Sequence, residues 1–319
     1  MTKQIKQYLT HILLFLATLV TTVYAGMWWV ASKPGPWQLE EFSVALPYAF
    51  SILFILTCHE FGHYFAARFH KVNSTLPYYI PFPPLPGFIN FGTVGAVIKT
   101  KSRINSNKAM FDIGIAGPIA GFVATLLVLG YGFSHLPGPE YILKIHPDYF
   151  ISTGHSEGEL LMTFGKPVLY SFFQSLFTSS GQFVPPMTEM YHYPYLLAGW
   201  FGLFVTALNM IPVGQLDGGH IFYAMFGEKK HSTLAHIIVI MMGISGMLGL
   251  LEIFLPINFY VGWVGWLFWC VLLIFIIKIK HPPAYTFETL GSGRMILGYI
   301  SFVILVLSFS VVPISASIL

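Results

Sequence analysis

His59, Glu60 and His63 stand in the run His59-Glu60-Phe61-Gly62-His63, inside an apolar stretch from Leu46 to Phe69. Ionisable groups are costly to place in such a stretch, so chemistry is a better reason for them than packing. On a helix, residues four apart share a face, one turn above the other. His59 and His63 can therefore offer two imidazoles to one metal ion, while Glu60 reaches water held beside it. That arrangement suits metal-assisted hydrolysis, with one zinc ion as cofactor and Glu60 as catalytic base. The bland alternative is an accidental motif of two satisfied core histidines, and the cost of burying Glu60 argues against it.

A catalytic zinc keeps three protein ligands and leaves a position for water, so a third ligand must come from elsewhere in the chain. Asp217 is the candidate. It lies in Asn209-Met-Ile-Pro-Val-Gly-Gln-Leu-Asp217-Gly218-Gly219-His220, where Asn209, Pro212, Gly214 and Gly218 interrupt an otherwise apolar helix. The backbone groups freed by that break must face protein or a water-filled cavity. Taken alone, Asp217 reads as well as the cap of a helix beginning at Gly218. Beside His59 and His63 the ligand reading is the stronger. His220 reads as structural, because a fourth protein ligand would displace the water.

The elements that hold these residues lie in a membrane. The 319 residues are 55% hydrophobic and 9% charged, with mean hydropathy +0.70, too few charges to cover a soluble surface of that size. Apolar runs near Tyr8–Ala31, Leu46–Phe69, Ala109–Phe133, Tyr195–Ile211, Leu234–Leu255, Val261–Ile279 and Met295–Ile314 predict an all-α polytopic protein with about seven transmembrane helices. The first run is long for a signal-peptide core and is read as an anchor. Of the 16 Lys and Arg, all but Lys33, Lys144 and Lys166 fall on one side of these runs, which makes the N-terminus cytoplasmic. His59 then lies roughly 22 Å into the second span at about 1.5 Å per residue, nearer the cytoplasmic face. A bacterial cell membrane is the expected location. The net charge of +3 is small and no basic patch carries interleaved aromatics, so nucleic acid is not an expected partner. Cys58 and Cys270, the two cysteines, imply neither a disulfide framework nor a thiolate cluster.

The two motifs, in this order, resemble those of the site-2 protease family of intramembrane zinc metalloproteases. The resemblance rests on His59-Glu-Phe-Gly-His63, on Asn209-x-x-Pro212 leading to Leu216-Asp217-Gly218, and on Gly114-Ile-Ala-Gly-Pro-Ile-Ala-Gly121 between them. It covers roughly residues 51–227 and is closest to the branch that lacks a PDZ domain and includes chloroplast members. It implies a three-helix catalytic core, zinc ligands His59, His63 and Asp217, catalytic base Glu60, and Asn209 near the substrate. Single-span membrane proteins would be the substrates. The whole chain, 1–319, is expected to form one protease domain, with the core at about 44–227, an extracytoplasmic loop at about 134–194 and C-terminal helices at about 232–315.

Weaker features complete the reading. The segment from Leu76 to Thr100 holds five prolines and then a β-branched, Gly-rich run, so it cannot be helical throughout. A re-entrant hairpin fits better, and Val94, Ala96 and Val97 are its candidate substrate-binding residues, offering a strand edge to an extended chain; the alternative is an interfacial loop. Gly114, Gly117 and Gly121 permit close helix contact, which points to packing. Asp112 is expected to cap or pair near the cytoplasmic end of its span. The aromatic stretch Pro167–Phe177 reads equally as a lid on the membrane or as packing over the helices. Two other functions compete with proteolysis: an ion or metal transporter, and a catalytically inactive protein that holds membrane clients. Glu60 argues against both, because neither needs a base beside two ligands.

Overall fold

The computed structural model describes residues 3–31, 38–85, 89–102, 104, 106–147, 149, 160–255, 257, 259–283 and 286–318. Its helices are α1 (Lys3–Ala31), α2 (Leu46–Phe69), α3 (Asn107–Ser134), α4 (Glu140–Ile145), α5 (Val168–Phe177), α6 (Pro194–Met210), α7 (Asp217–Phe254), α8 (Gly265–Val271) and α9 (Ser292–Ser308). Short strands among the described residues are β1 (Tyr78–Pro81), β2 (Thr93–Val97), β3 (Leu160–Phe164) and β4 (Ile314–Ile318). Each apolar run is helical over most of its length. Among the described residues, three helices are long and apolar enough to cross a membrane, within Gln4–Ala31, Asn107–Ser134 and Asp217–Phe254. The protein is thus a mostly helical integral membrane protein. The 24 residues of α2 would span by length, but His59, Glu60 and His63 lower its hydropathy. α6, α9 and the unit of α8 with a π-helical turn at Leu272–Ile277 are apolar but shorter.

α2, α3 and α6 pack side by side, with Tyr48, Ile52, Ile55, Leu56, Leu129 and Leu203 buried between them. α3 carries Pro118 in mid-helix and is capped by Ser106, whose hydroxyl accepts from the Ala109 amide at 3.2 Å. α7 continues through Gly227, where the backbone leaves helical geometry at φ 80 and ψ 175. A glycine tolerates that conformation without a Cβ clash.

The proline-rich segment after α2 does form a hairpin. β1 and β2 pair antiparallel with Tyr78 opposite Val97, Tyr79 opposite Ala96 and Ile80 opposite Gly95, and the register shifts at Pro81, which cannot donate to a ladder. Helices α1 and α2 hold it in place: His11 Nδ1–H donates to the Pro77 carbonyl (3.0 Å), Thr21 Oγ1–H to Gly92 (2.6 Å), Trp29 Nε1–H to Asn90 (2.6 Å) and the Tyr48 hydroxyl to Phe91 (3.0 Å).

One feature departs from the sequence reading, and two others fall among the alternatives it left open. The last apolar run leaves its helix at Ser308, and Ile314–Ile318 becomes a strand paired antiparallel with Leu160–Phe164. Partner strands so far apart leave no local signal, whereas helix periodicity is read within a dozen residues. The aromatic stretch forms α5, which buries Tyr170 against Phe133 and leaves Val168, Phe172 and Leu176 exposed. Asp112 pairs rather than caps: it receives Nε and Nη2 of Arg294 at 2.8 and 2.7 Å and lies 2.8 Å from His70 Nε2.

Candidate active site

The helical spacing of His59 and His63 turns both imidazoles toward α3 and α7. His63 Nδ1–H donates to the Ile113 carbonyl (2.7 Å), which fixes the ring and leaves Nε2 with its lone pair toward the centre of the site. α3 approaches this face so closely that a Cβ on Gly117 would clash with the His63 imidazole. Only a glycine allows the contact. The glycines read from the sequence as packing residues therefore pack against the candidate ligands themselves.

Asp217 reaches the site through the break between α6 and α7. α6 ends at Met210, and α7 restarts at Asp217 after Leu216 in extended conformation. Asp217 is the first residue of α7, not its cap. Its carboxylate faces the histidines. A side chain on Gly218 would collide with the Met210 carbonyl, so the glycine lets the start of α7 close onto the end of α6.

His59 Nε2 and His63 Nε2 are 3.1 Å apart; Asp217 Oδ2 is 3.4 Å from the first and Oδ1 is 3.4 Å from the second. Tetrahedral zinc with ligand distances of about 2.0–2.1 Å has ligand–ligand edges of about 3.3–3.4 Å. The residues therefore fit that ion. His59 and His63 are buried, at 6% and 8% exposure. Glu60 is buried beside them, with Oε1 4.0 Å from His59 Nε2, and Oε2 finds no hydrogen-bond partner among the described residues. The main chain of Ile98, just past β2, lies beside the Glu60 carboxylate. Asn209 Nδ2 lies 3.4 Å from His59 Nε2.

These groups open into a cavity of about 950 Å³, walled also by Ala96, Val97, Gln215, His220 and His281. Val94 is 67% exposed and lies outside that wall. His220 Nδ1 and His281 Nε2 are 2.7 Å apart, and burial holds the His281 imidazole below the ordinary histidine range. Ile98 and His281 were not among the site residues read from the sequence. Ile98 acts through its backbone, which no residue type reveals, and His281 had only its place before Pro282-Pro283 as a signal.

The class that fits this constellation is a zinc metallopeptidase set among apolar helices. A family model, Peptidase family M50, matches residues 47–250, and the chain belongs to that family, the site-2 proteases, which are zinc metalloproteases. Among similar proteins is the probable zinc metalloprotease EGY1, chloroplastic, of Arabidopsis thaliana, 29% identical over 281 residues, or 80% of this chain and 46% of that protein. The EGY1 protein of Oryza sativa subsp. japonica is 31% identical over 246 residues, covering 70% of this chain and 38% of its own length. A probable zinc metalloprotease EGY2, chloroplastic, of Oryza sativa subsp. indica is 29% identical over 224 residues, covering 70% and 34%. The chain thus spans less than half the length of these relatives. No solved structure matches it.

Proposed function

We propose that this chain is an intramembrane zinc endopeptidase that hydrolyses peptide bonds within or near the transmembrane segments of membrane-anchored, single-span proteins, as in regulated intramembrane proteolysis. The observation that carries this reading is the meeting of His59, His63 and Asp217 at zinc-ligand spacing with Glu60 on the wall of the same cavity. Zinc held by those three residues would supply Lewis-acid polarisation of the scissile carbonyl and of water. Glu60 takes a proton from the attacking water and returns it to the leaving amine. The main chain of Ile98 lies beside its carboxylate, and Oε2 stays available for the proton. Asn209, beside His59, hydrogen-bonds the substrate.

A transmembrane helix shields its own peptide groups, so the substrate must unwind before it is cut. The open edge of β2 is the surface that would receive it. The Lys99 amide and carbonyl both bond to Thr75, on the β1 side, at 3.0 and 2.9 Å. Amide direction alternates along a strand. The Val97 amide therefore points to β1, while those of Ala96 and Ile98 point to the open edge, where the Ile98 main chain lies beside Glu60. Val94, further along β2, would touch the substrate outside the cavity.

The seven apolar helical segments are taken as the spans of one protease domain, with its core at about 44–227 and the basic residues on the cytoplasmic side with the catalytic site. The relatives named above are chloroplastic and lend no support to a bacterial membrane, so the proposal extends to orientation alone. The test is cleavage of a single-span reporter by the purified full chain in vesicles. Cleavage that Glu60→Gln abolishes supports the reading. No cleavage by zinc-loaded protein overturns it, and metal flux in its place would favour a transporter.

A further inference from the structure

Three ligating side chains converge far from the candidate active site, in the segment between α3 and α6. Glu189 precedes and His192 closes a 3₁₀ turn at Met190–His192, where the His192 amide donates to the Glu189 carbonyl at 3.1 Å. With three residues per turn, positions i and i+3 eclipse, so both side chains leave the same face. His146 arrives from the end of α4, and the Tyr141 hydroxyl of that helix donates to the His192 carbonyl (2.8 Å), locking the two segments together.

The geometry points to a second metal site: we propose that His146, Glu189 and His192 bind a divalent transition-metal ion of the zinc class. His146 Nε2 and His192 Nε2 are 3.1 Å apart, and Glu189 Oε2 lies 3.6 and 3.4 Å from them. These separations bracket the edge of about 3.3–3.4 Å that tetrahedral zinc requires, and they repeat those of His59, His63 and Asp217. The orientation of His192 is already that of a ligand. Its Nδ1–H donates to the Val30 carbonyl at 3.2 Å, the outer hydrogen bond that directs Nε2 to a metal. Glu189 and His192 are buried, which suits an ion held for structure, and the half-exposed His146 leaves a way in and a fourth position for water. Two imidazoles and one carboxylate favour zinc over calcium or magnesium, which take oxygen ligands.

The ion would tie the end of α1, the end of α4 and the start of α6 into one unit. The 17 residues of α6, roughly 25 Å at about 1.5 Å per residue, separate it from Asn209, so the two sites are independent.

Metal analysis of the purified full chain tests this directly. Two zinc equivalents are expected in the wild type and one in His146→Ala or in the near-isosteric Glu189→Gln. Added Zn²⁺ should raise the Tm of chelator-treated His59→Ala/His63→Ala protein, and the same protein with His146→Ala should not respond. That background keeps the second triad intact, so the test stands even if changes at Glu189 or His192 prevent folding. Zero equivalents in His59→Ala/His63→Ala, or an unchanged count in His146→Ala, would overturn the proposal and leave a hydrogen-bonded trio. Neither result depends on whether the protein cleaves anything.

Discussion

Gly117 of α3 lies against the imidazole of His63 with no room for a side chain between them. The packing of two helices and the position of a candidate zinc ligand are therefore one constraint. Gly117→Ala must push His63 away or part α2 from α3, at a cost typical of overpacking, about 1–3 kcal/mol. The expected outcome is a lower Tm together with loss of zinc from the site. A variant with wild-type zinc content and Tm would show that the helices adjust freely.

Asp217→Ala, His59→Ala and His63→Ala should each lower zinc content by one equivalent, because three ligands are the usual minimum for a catalytic site. Elemental analysis of purified protein reads this. Full retention in Asp217→Ala would remove Asp217 from the ligand set.

Glu60→Gln should keep the fold and the zinc and lose cleavage by on the order of 10² to 10⁴ in rate, the range for general acid–base catalysis. Turnover of a membrane-embedded reporter decides the matter. Wild-type turnover in the variant would end the role of Glu60 as base.

The two faces of β2 predict different results for two neighbouring substitutions. Proline at position 96 removes an amide from the open edge, whereas proline at 97 removes one that faces Tyr78. Ala96→Pro should depress cleavage with little change in Tm, and Val97→Pro should destabilise the hairpin. Equal effects of both on Tm and turnover would contradict a substrate-binding edge. Cysteine crosslinking from Val94 to Ile98 gives an independent reading, with contacts expected at every second residue.

Substrate sequence offers a further check. Gly, Pro or Asn near the scissile bond should speed cleavage and a Leu and Ala run should slow it, since helix propensity sets the cost of unwinding. Rates indifferent to these changes would mean that the substrate arrives already extended.

Much of this protein was legible in its residues because the relevant signals are local. The four-residue step from His59 to His63 is a property of any helix, the apolar runs declare the membrane by composition, and five prolines in 25 residues forbid a continuous helix between Leu76 and Thr100. The convergence of distant segments was decided by tertiary structure. Asp217 faces the histidines only because Gly218 lets α7 close on α6, and it is the main chain of Ile98 that lies beside Glu60, which side-chain chemistry does not announce. The pairing of β3 with β4, and the meeting of His146 with Glu189 and His192, likewise join segments far apart in the chain. Sequence fixes which groups can share a helix face, since that depends on one dihedral repeat. Which faces then meet depends on the shapes of all the side chains packed between them, and here glycines at the closest approaches settle it.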